Sequence, residues 1–252
     1  MGAIMRLDKF LAESGMGSRS QVKKILKQGL VTVNEETITG AERKIDVETD
    51  CVRYNGRKIV YEKYVYYMLN KPAGVVSATR DNNEKTVLDC LKQGLGAAPG
   101  QDLFPAGRLD KDTEGLMLIT NDGGLAHSLL SPRKHVDKCY YARVDGRIGE
   151  EECRLFENGI VLKDGTKCLP AHLTVLESGC ESDVQVIIQE GKFHQVKRMF
   201  LAVGREVLYL KRLRIGSLKL DETLDAGEFR LLTPEEIAAL KQENKTDRMK
   251  ED

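Results

Sequence analysis

The segment Gly107–Gly123 constrains the fold of this chain more than any other stretch. Its apolar run Leu116–Ile119 predicts a buried β-strand, and the Asn-Asp-Gly that follows favours a turn. A dense polar turn that contains Asp110 precedes the strand. Catalytic groups are often carried by loops on a rigid support, so Asp110 is a candidate functional residue. Taken by itself, the pattern is more typical of a solvated turn between two strands.

The sequence around this strand predicts an α+β domain built on a large, mostly antiparallel sheet. Residues 64–69 form a strongly β-prone run that Asn70-Lys71-Pro72-Ala73-Gly74 ends. From there to residue 233, short strands alternate with two or three helices. Residues 80–101 are polar and rich in glycine around a short predicted helix, Val87–Leu91.

Residues 6–60 are typical of a small unit with a helix pair on a short sheet. Apolar residues recur at helical spacing in two stretches that Gly15 and Gly17 separate. Ser18 or Ser20 is placed to cap the second helix.

The end of this second helix is predicted at Gly29, and a strand over Val31–Asn34 then leads to a turn at Glu35-Glu36. The helix is expected to expose four cations, which are Arg19, Lys23, Lys24 and Lys27. A helix pair with one basic face suits docking to RNA, although a plain helical hairpin has the same pattern.

The formal net charge is zero, but the charge is unevenly distributed. Residues 1–30 hold six basic and two acidic residues, and residues 190–216 hold seven basic and two acidic. Two basic segments in a neutral chain are what a localised phosphate-binding surface requires, although most such runs are solvated surface.

Composition argues against a zinc protein and a membrane protein. The six cysteines lack C-x-x-C spacing and the four histidines lack an H-x-x-x-H pair. No apolar stretch approaches the ~18 residues that span a membrane. The sequence therefore predicts a cytoplasmic protein with reduced thiols and no metal.

The N-terminal unit resembles the alpha-L RNA-binding domain. The matching stretches are Arg6-Leu7-Asp8-Lys9-Phe10-Leu11, Gly17-Ser18-Arg19-Ser20 and Gly29-Leu30-Val31-Thr32-Val33-Asn34. The family usually has glycine in the turn where this chain has Glu35, which changes the turn and leaves the basic helix unaffected. The resemblance implies RNA contacts by Arg6, Arg19, Lys23 and Lys24.

Four further stretches resemble, in the same order, the motifs of pseudouridine synthases. They are residues 71–74, 107–123, 138–144 and 190–216. The most specific are G-R-L-D-x-x-T-x-G-L and E-G-x-x-H-Q-V-K-R-M. Nearly all of residues 6–240 follows the family pattern, most closely that of the ribosomal small subunit synthase A branch. Members that act on large-subunit RNA more often have Arg at the position of Lys197 and an Arg-containing stretch in place of His194-Gln195.

The resemblance assigns roles to three residues that are remote in the chain. It makes Asp110 the catalytic carboxylate, which either attacks the sugar carbon or removes the 2′ proton. Tyr140 would stack on the extruded uracil, and Lys197 would keep Asp110 ionised, with Arg198 as the second candidate. Read singly, Tyr140 is more typical of a core residue in a strand, and Lys197 is more typical of an exposed residue on a helix.

Further RNA contacts are implied around these residues. Arg108 would fill the gap left by the flipped base or bind its phosphate. Additional contacts are expected from Lys71, Arg198, Arg212 and Arg214. No metal or organic cofactor is implied, and the partner is ribosomal RNA, either free or in an assembling small subunit, bound by a monomer.

The expected organisation has three parts. Residues 5–62 form the RNA-binding domain with its connector, and residues 63–240 form the catalytic domain, which ends in a helix over 235–241. A charged tail, 241–252, is expected to be frayed.

Three alternatives to a small-subunit (16S) rRNA synthase remain open at this point. One is a large-subunit (23S) synthase of the same family, and another is an rRNA-binding assembly factor with a vestigial site. The third is an RNA-binding module attached to an unrelated hydrolase, against which the chain lacks a Ser-His-Asp, metal or phosphate-loop pattern.

Overall fold

The computed structural model describes residues 4–61, 63–95 and 102–246, with side chains as far as residue 242. Contacts between residues divide the chain into two compact units. The smaller unit is Met1–Val65 with Leu95–Asp102, and the larger unit is Tyr66–Gly94 with Leu103–Asp252.

The smaller unit combines a helix pair with short antiparallel sheets. Its helical segments are α1 (Leu7–Leu11), a π-helical turn (Ala12–Met16) and α2 (Arg19–Lys27). Its strands are β1 (Ile4–Arg6), β2 (Val31–Val33), β3 (Glu36–Thr37), β4 (Lys44–Asp46), β5 (Val52–Tyr54) and β6 (Arg57–Lys58). β1 pairs with β4, and the other four strands form a sheet in the order β3-β2-β5-β6.

Local chemistry accounts for the limits of α2. The Ser18 side chain accepts from the backbone N–H of Gln21, and the Gln21 side chain accepts from the N–H of Ser18. Gly29, at φ +70°, follows the end of the helix in the left-handed conformation. Val22 and Leu26 are buried in the core of the unit, so the predicted cap and apolar face are confirmed.

The turn predicted at Glu35-Glu36 was one residue out of place. Asn34 (φ +48°) and Glu35 (φ +71°) form the turn, and Glu36 already begins β3. A two-residue hairpin of this kind needs positive φ at both central positions, and here neither residue is glycine.

The larger unit is built on a nine-stranded mixed sheet. Its strands are β7 (Tyr66–Lys71), β8 (Phe104–Pro105), β9 (Glu114–Thr120), β10 (Lys138–Asp145), β11 (His172–Glu177), β12 (Glu181–Ile188), β13 (Val207–Ile215), β14 (Leu218–Lys219) and β15 (Phe229–Leu231). Its helices are α3 (Val87–Leu95), α4 (Gly123–Leu130), α5 (Glu150–Glu157), α6 (Gln195–Ala202) and α7 (Pro234–Thr246), with a 3-10 turn at Pro132–Lys134.

The sheet has the order β11-β12-β10-β13-β9-β7-β15, with β14 on β13 and β8 on β9. Only β9 and β13 pair in parallel among the described strands, which confirms the expected α+β fold with a mostly antiparallel sheet. The two strands approach closely at Gly115 (φ +99°), where a Cβ atom would lie 2.3 Å from the carbonyl oxygen of Arg212. Glycine is therefore required where the Asp110 turn joins β9.

Helices cover the sheet with apolar faces. α4 and α7 pack on β7, β9 and β13 through one buried cluster. On α6, Val196, Met199 and Phe200 are buried, and the Phe200 ring lies 5.0 Å from that of Phe156 on α5. This packing fixes α6 beside β13 and so holds the side chains at its N-terminus in place.

The structure corrects three expectations about helices. Four helices, α3 to α6, lie in the described part of residues 64–233, where two or three were expected. α3 continues four residues beyond its predicted end, to Leu95. The next described residue is Asp102. α7 extends to Thr246, so the predicted tail begins as helix; residues 247–252, like 96–101, lie outside the described part.

Candidate active site

The turn that carries Asp110 runs from Gly107 to Thr113, between β8 and β9. Gly107 has a φ of +91°, and a Cβ atom there would lie 2.6 Å from the Leu130 side chain of α4. Leu109 is buried, and the hydroxyl of Ser77 binds both of its backbone groups. The hydroxyl donates to the Leu109 carbonyl at 2.8 Å and accepts from its N–H at 3.0 Å. The residue just before Asp110 is thus fixed in position.

Lys71 supports the same turn from the interior. Its ammonium donates to the carbonyl oxygens of Pro72, Lys111 and Thr113 at 3.0, 3.2 and 2.8 Å. Burial lowers the pKa of Lys71 to about 8, against the opposing effect of the carboxylates of Asp112 and Asp110. The side chain is fully buried, so the expected contact between Lys71 and an RNA phosphate is wrong.

The Asp110 carboxylate is a quarter exposed and faces two cationic or potentially cationic groups of α6 and its N-cap. Lys197 Nζ lies 3.4 Å from Oδ2, and His194 Nε2 lies 3.4 Å from Oδ1. Lys197 makes its shorter contact to Asp112, to which it donates at 2.6 Å. That hydrogen bond lowers the pKa of Asp112. Lys197 therefore bridges two carboxylates of one turn.

The structure brings four of the predicted site residues together in one cleft. Arg108, Asp110, Tyr140 and Lys197 all line it, together with apolar side chains of β12, β13 and α6. Tyr140 is buried on β10, between β12 and β13. A carboxylate, a cation and an aromatic ring thus meet in a recess with apolar walls.

Arg198 points elsewhere. Its guanidinium pairs with Asp164 and donates to the carbonyl of Phe193 at 3.2 Å, so it is not the cation beside Asp110. Arg214 is half-buried, donates to the carbonyl of Gly216 at 2.7 Å and lies 3.7 Å from Asp137.

Arg212 is buried in the sheet and donates from Nε to the carbonyl of Leu116 at 2.9 Å. A guanidinium in that position is shielded from solvent, so the expectation that Arg212 contacts an RNA phosphate is also wrong.

The cations of the smaller unit are on its surface. Arg19, Lys23 and Lys24 are exposed on α2, as their spacing predicted. Arg6 is half exposed, and its guanidinium binds the buried carboxylate of Asp8 through two hydrogen bonds of 3.1 and 3.0 Å.

Sequence reasoning missed three residues at this site: His194 lines the cleft, Ser77 holds the turn that carries Asp110, and Asp112 pairs with Lys197. Ser77 and Asp112 were not singled out, and His194 was read only as part of a motif. His194 is the N-cap of α6 and has a left-handed backbone with φ +47°, which is uncommon for a residue other than glycine. Its position directly before apolar residues at helical spacing (Val196, Met199 and Phe200) was the one signal that could have marked it.

The part of the chain that the structure describes contains no group of three His, Cys, Asp or Glu side chains that could hold a metal. Within the same residues, no helix is long and apolar enough to cross a membrane.

The arrangement is suited to a reaction at a group that is attached to a planar ring. An ionised carboxylate next to a lysine can act as a nucleophile or a base, and a buried aromatic ring can hold a planar group beside it. Atoms of the carboxylate remain exposed, so a substrate can reach them.

Comparison with known protein families gives one match in each of the two units of the chain. The family described as RNA pseudouridylate synthase matches residues 65–202, and the S4 domain matches residues 5–51. A protein of Bacillus subtilis (strain 168), named an uncharacterized RNA pseudouridine synthase, is 45% identical over 94% of this chain and 98% of its own length.

Two relatives carry names that include a ribosomal subunit. Ribosomal small subunit pseudouridine synthase A of Vibrio cholerae is 42% identical over 94% of this chain and 99% of its own. Ribosomal large subunit pseudouridine synthase B of Bacillus subtilis is 40% identical over 94% and 95%. A solved structure described as a pseudouridylate synthase superimposes with a TM-score of 0.64 at 36% identity, covering 94% of this chain and 99% of the other.

Proposed function

This chain belongs to the RNA pseudouridine synthases that carry an N-terminal S4 domain, and from that premise we propose that it converts one uridine of small-subunit (16S) ribosomal RNA to pseudouridine. Family membership excludes the unrelated hydrolase.

One observation carries the residue roles. Asp110 and Lys197, 87 positions apart in the chain, meet at 3.4 Å in the cleft that Tyr140 also lines. Such a meeting requires the turn before β9, the strand β10 and the helix α6 to converge. No other carboxylate lines this cleft among the described residues.

The chemistry needs few groups. The bond between the sugar C1′ and the uracil N1 breaks, the uracil rotates, and C1′ bonds to carbon-5 instead; carbon-5 loses its proton and N1 gains one, with no net redox change. Asp110 serves either as the nucleophile on the sugar carbon, from which it is displaced when the new bond forms, or as the base that removes the 2′ proton and later returns it. Lys197 Nζ, 3.4 Å from Asp110, places a positive charge beside the carboxylate in both routes.

The substrate base must leave the RNA stack to reach Asp110, at a cost of a few kcal/mol. Stacking on an aromatic ring returns about 1–3 kcal/mol of that cost, and the Tyr140 ring lines the cleft beside Asp110. Arg108 is exposed at the same cleft, where it would occupy the space left by the base or bind its phosphate.

The two parts of the chain would divide the work. Residues 5–62 dock on rRNA through Arg6, Arg19, Lys23 and Lys24, and residues 63–240 perform the reaction, with Arg198 and Arg214 as further RNA contacts. The protein acts as a monomer in the cytoplasm, on rRNA that is free or in an assembling small subunit.

The choice of 16S rRNA rests on the sequence around Lys197. His194-Gln195 and Lys197 match the small-subunit branch, and the small-subunit synthase of Vibrio cholerae is 42% identical. The second candidate is 23S rRNA, because the large-subunit synthase of Bacillus subtilis is 40% identical over nearly the same span.

Mapping of pseudouridines in rRNA from a strain that lacks this protein decides between the two. The proposal predicts that one 16S position loses its pseudouridine and regains it when the gene is restored. Loss of a 23S position would replace the first candidate by the second. Unchanged maps of both RNAs would contradict both candidates.

A further inference from the structure

Phe193 is the most conspicuous apolar side chain next to the cleft. It is 70% exposed, although it lies between β12 and α6, which both bury most of their large apolar side chains. Its ring stacks on the imidazole of His194, with 3.8 Å between centroids and 19° between planes. One face of the ring is therefore covered, and most of the rest is open to solvent.

The backbone holds this stacked pair in place. The carbonyl of Phe193 accepts from Arg198, and the carbonyl of His194 accepts from the Arg198 N–H at 2.9 Å. The Lys192 carbonyl accepts from the N–H of Gln195 at 3.1 Å. The strained left-handed backbone of His194 persists because these bonds fix the turn on both sides.

The pair points from the reacting carboxylate towards solvent. His194 Nε2 lies 3.4 Å from Asp110, and Phe193 covers the His194 ring. The spacing of the two rings is close to the ~3.4 Å between successive stacked bases of a nucleic acid strand. A base on the outer face of Phe193 would continue the same stack.

We propose that the Phe193–His194 pair is a stacking site for the unpaired base of a nucleotide that flanks the modified uridine. The site accepts any base, because every base has a flat π face, and it sets the path of the strand rather than its sequence. Exposed Arg108 on the same cleft supplies a cation for the strand's phosphates. The inference rests on the proposed function only in that RNA enters this cleft.

The chain contains no tryptophan, so a single substitution gives a direct optical probe. In the Phe193→Trp variant, a single-stranded oligouridylate of about ten nucleotides should quench the indole fluorescence in a saturable manner. The matched control is Leu176→Trp, since Leu176 is exposed on β11 and does not line the cleft. Its fluorescence should change little.

Absence of quenching in the Phe193→Trp variant overturns the proposal, and so does equal quenching in both variants. Self-association of the protein through Phe193, detected as a mass increase that Phe193→Ala abolishes, would assign the ring to a protein contact instead.

Kinetics give a second, independent readout on the rRNA substrate. Phe193→Ala should raise KM about 5-fold to 150-fold, the range for loss of one base–aromatic stack, with kcat within a few-fold. Phe193→Tyr keeps a stacking ring and should stay within about twofold of the unaltered protein. A KM unchanged by Phe193→Ala would contradict the proposal. If the protein proves inactive on 16S and 23S rRNA, the proposed function fails, while the fluorescence titration still decides the stacking site.

Discussion

Among the described residues of the larger unit, three cationic side chains are buried: Lys71, Lys138 and Arg212. Lys71 differs from the others because three carbonyl oxygens accept from its ammonium. Lys138 Nζ and Arg212 Nη2 are buried without a hydrogen-bond partner in the described part of the chain. A buried charge without an acceptor reduces the stability of the fold. Lys138 should therefore make stability depend on pH.

Burial, and then the charge of Arg212, lowers the pKa of Lys138 to about 8. An unfolded chain releases this proton only near pH ~10.4. Between the two values the unfolded state binds the proton and the folded state does not, so the free energy of unfolding rises with pH. Urea unfolding at pH 8 and pH 9.5 should show the unaltered protein gaining about 1–2 kcal/mol relative to Lys138→Met. The exposed Lys219→Met is the control, and an equal pH dependence of all three proteins would refute this explanation.

At the scale of elements, residues 71–77 hold the turn that carries Asp110. Lys71 binds three carbonyls near it, the N–H of Gly74 donates to the Lys111 carbonyl at 2.8 Å, and Ser77 binds both backbone groups of Leu109. A displacement of about 1 Å can reduce a reaction rate about 100-fold. Ser77 is therefore expected to act as a positioning residue.

Ser77→Ala should lower kcat for pseudouridine formation about 10-fold to 100-fold with little change in KM, because the turn shifts while the RNA surface remains. Ser77→Thr keeps a hydroxyl and should recover most of the activity. Ser182→Ala is a matched control, since its hydroxyl donates to the Gly146 carbonyl at 2.8 Å and accepts from the Ile148 N–H at 3.1 Å. If both alanine variants lose kcat equally, loss of stability and not positioning is the cause.

Elements set by neighbouring residues could be predicted from the sequence. The cap at Ser18 and the strand from the run Leu116–Ile119 depend on residues within a few positions, and both appear as expected. The convergence of Asp110, Tyr140 and Lys197 on one cleft was implied by the resemblance alone, because no local pattern relates residues that are remote in the chain.

Burial of cations could not be predicted in the same way. Lys71 precedes Pro72 in a polar stretch, and only the turn at Lys111–Thr113, some 40 positions later, encloses it. Arg212 lies in a basic segment, but the pairing of β13 with β9 and β10 places it inside the sheet. Both depend on contacts between distant parts of the chain.

For the whole molecule, the neutral net charge conceals a difference between the two basic segments. In residues 190–216 much of the positive charge is buried or paired: Arg212 is buried, Arg198 pairs with Asp164, and Lys197 bridges two carboxylates. The cations of α2 are exposed instead. Attraction of RNA phosphates should therefore come largely from α2.

Replacement of Arg19, Lys23 and Lys24 by Gln in the full chain should weaken rRNA binding. The slope of log affinity against log salt concentration should fall in magnitude by about 2, because a protein with three fewer phosphate contacts releases fewer counterions from the RNA. The control is a triple replacement of exposed cations of the larger unit by Gln, at Arg147, Arg154 and Lys219. Equal slopes for the two triple variants would rule out α2 as the docking surface.

We propose that one carboxylate, Asp110, carries out the isomerisation. The rate of pseudouridine formation in rRNA by purified Asp110→Asn, compared with Asp112→Asn, tests this role. The second variant makes the same change two residues away, on the other carboxylate that Lys197 contacts. Asp110→Asn should lower kcat by about 10³ or more with RNA affinity within a few-fold, and Asp112→Asn should stay within about tenfold. Near-normal turnover by Asp110→Asn would rule out Asp110 as the catalytic carboxylate.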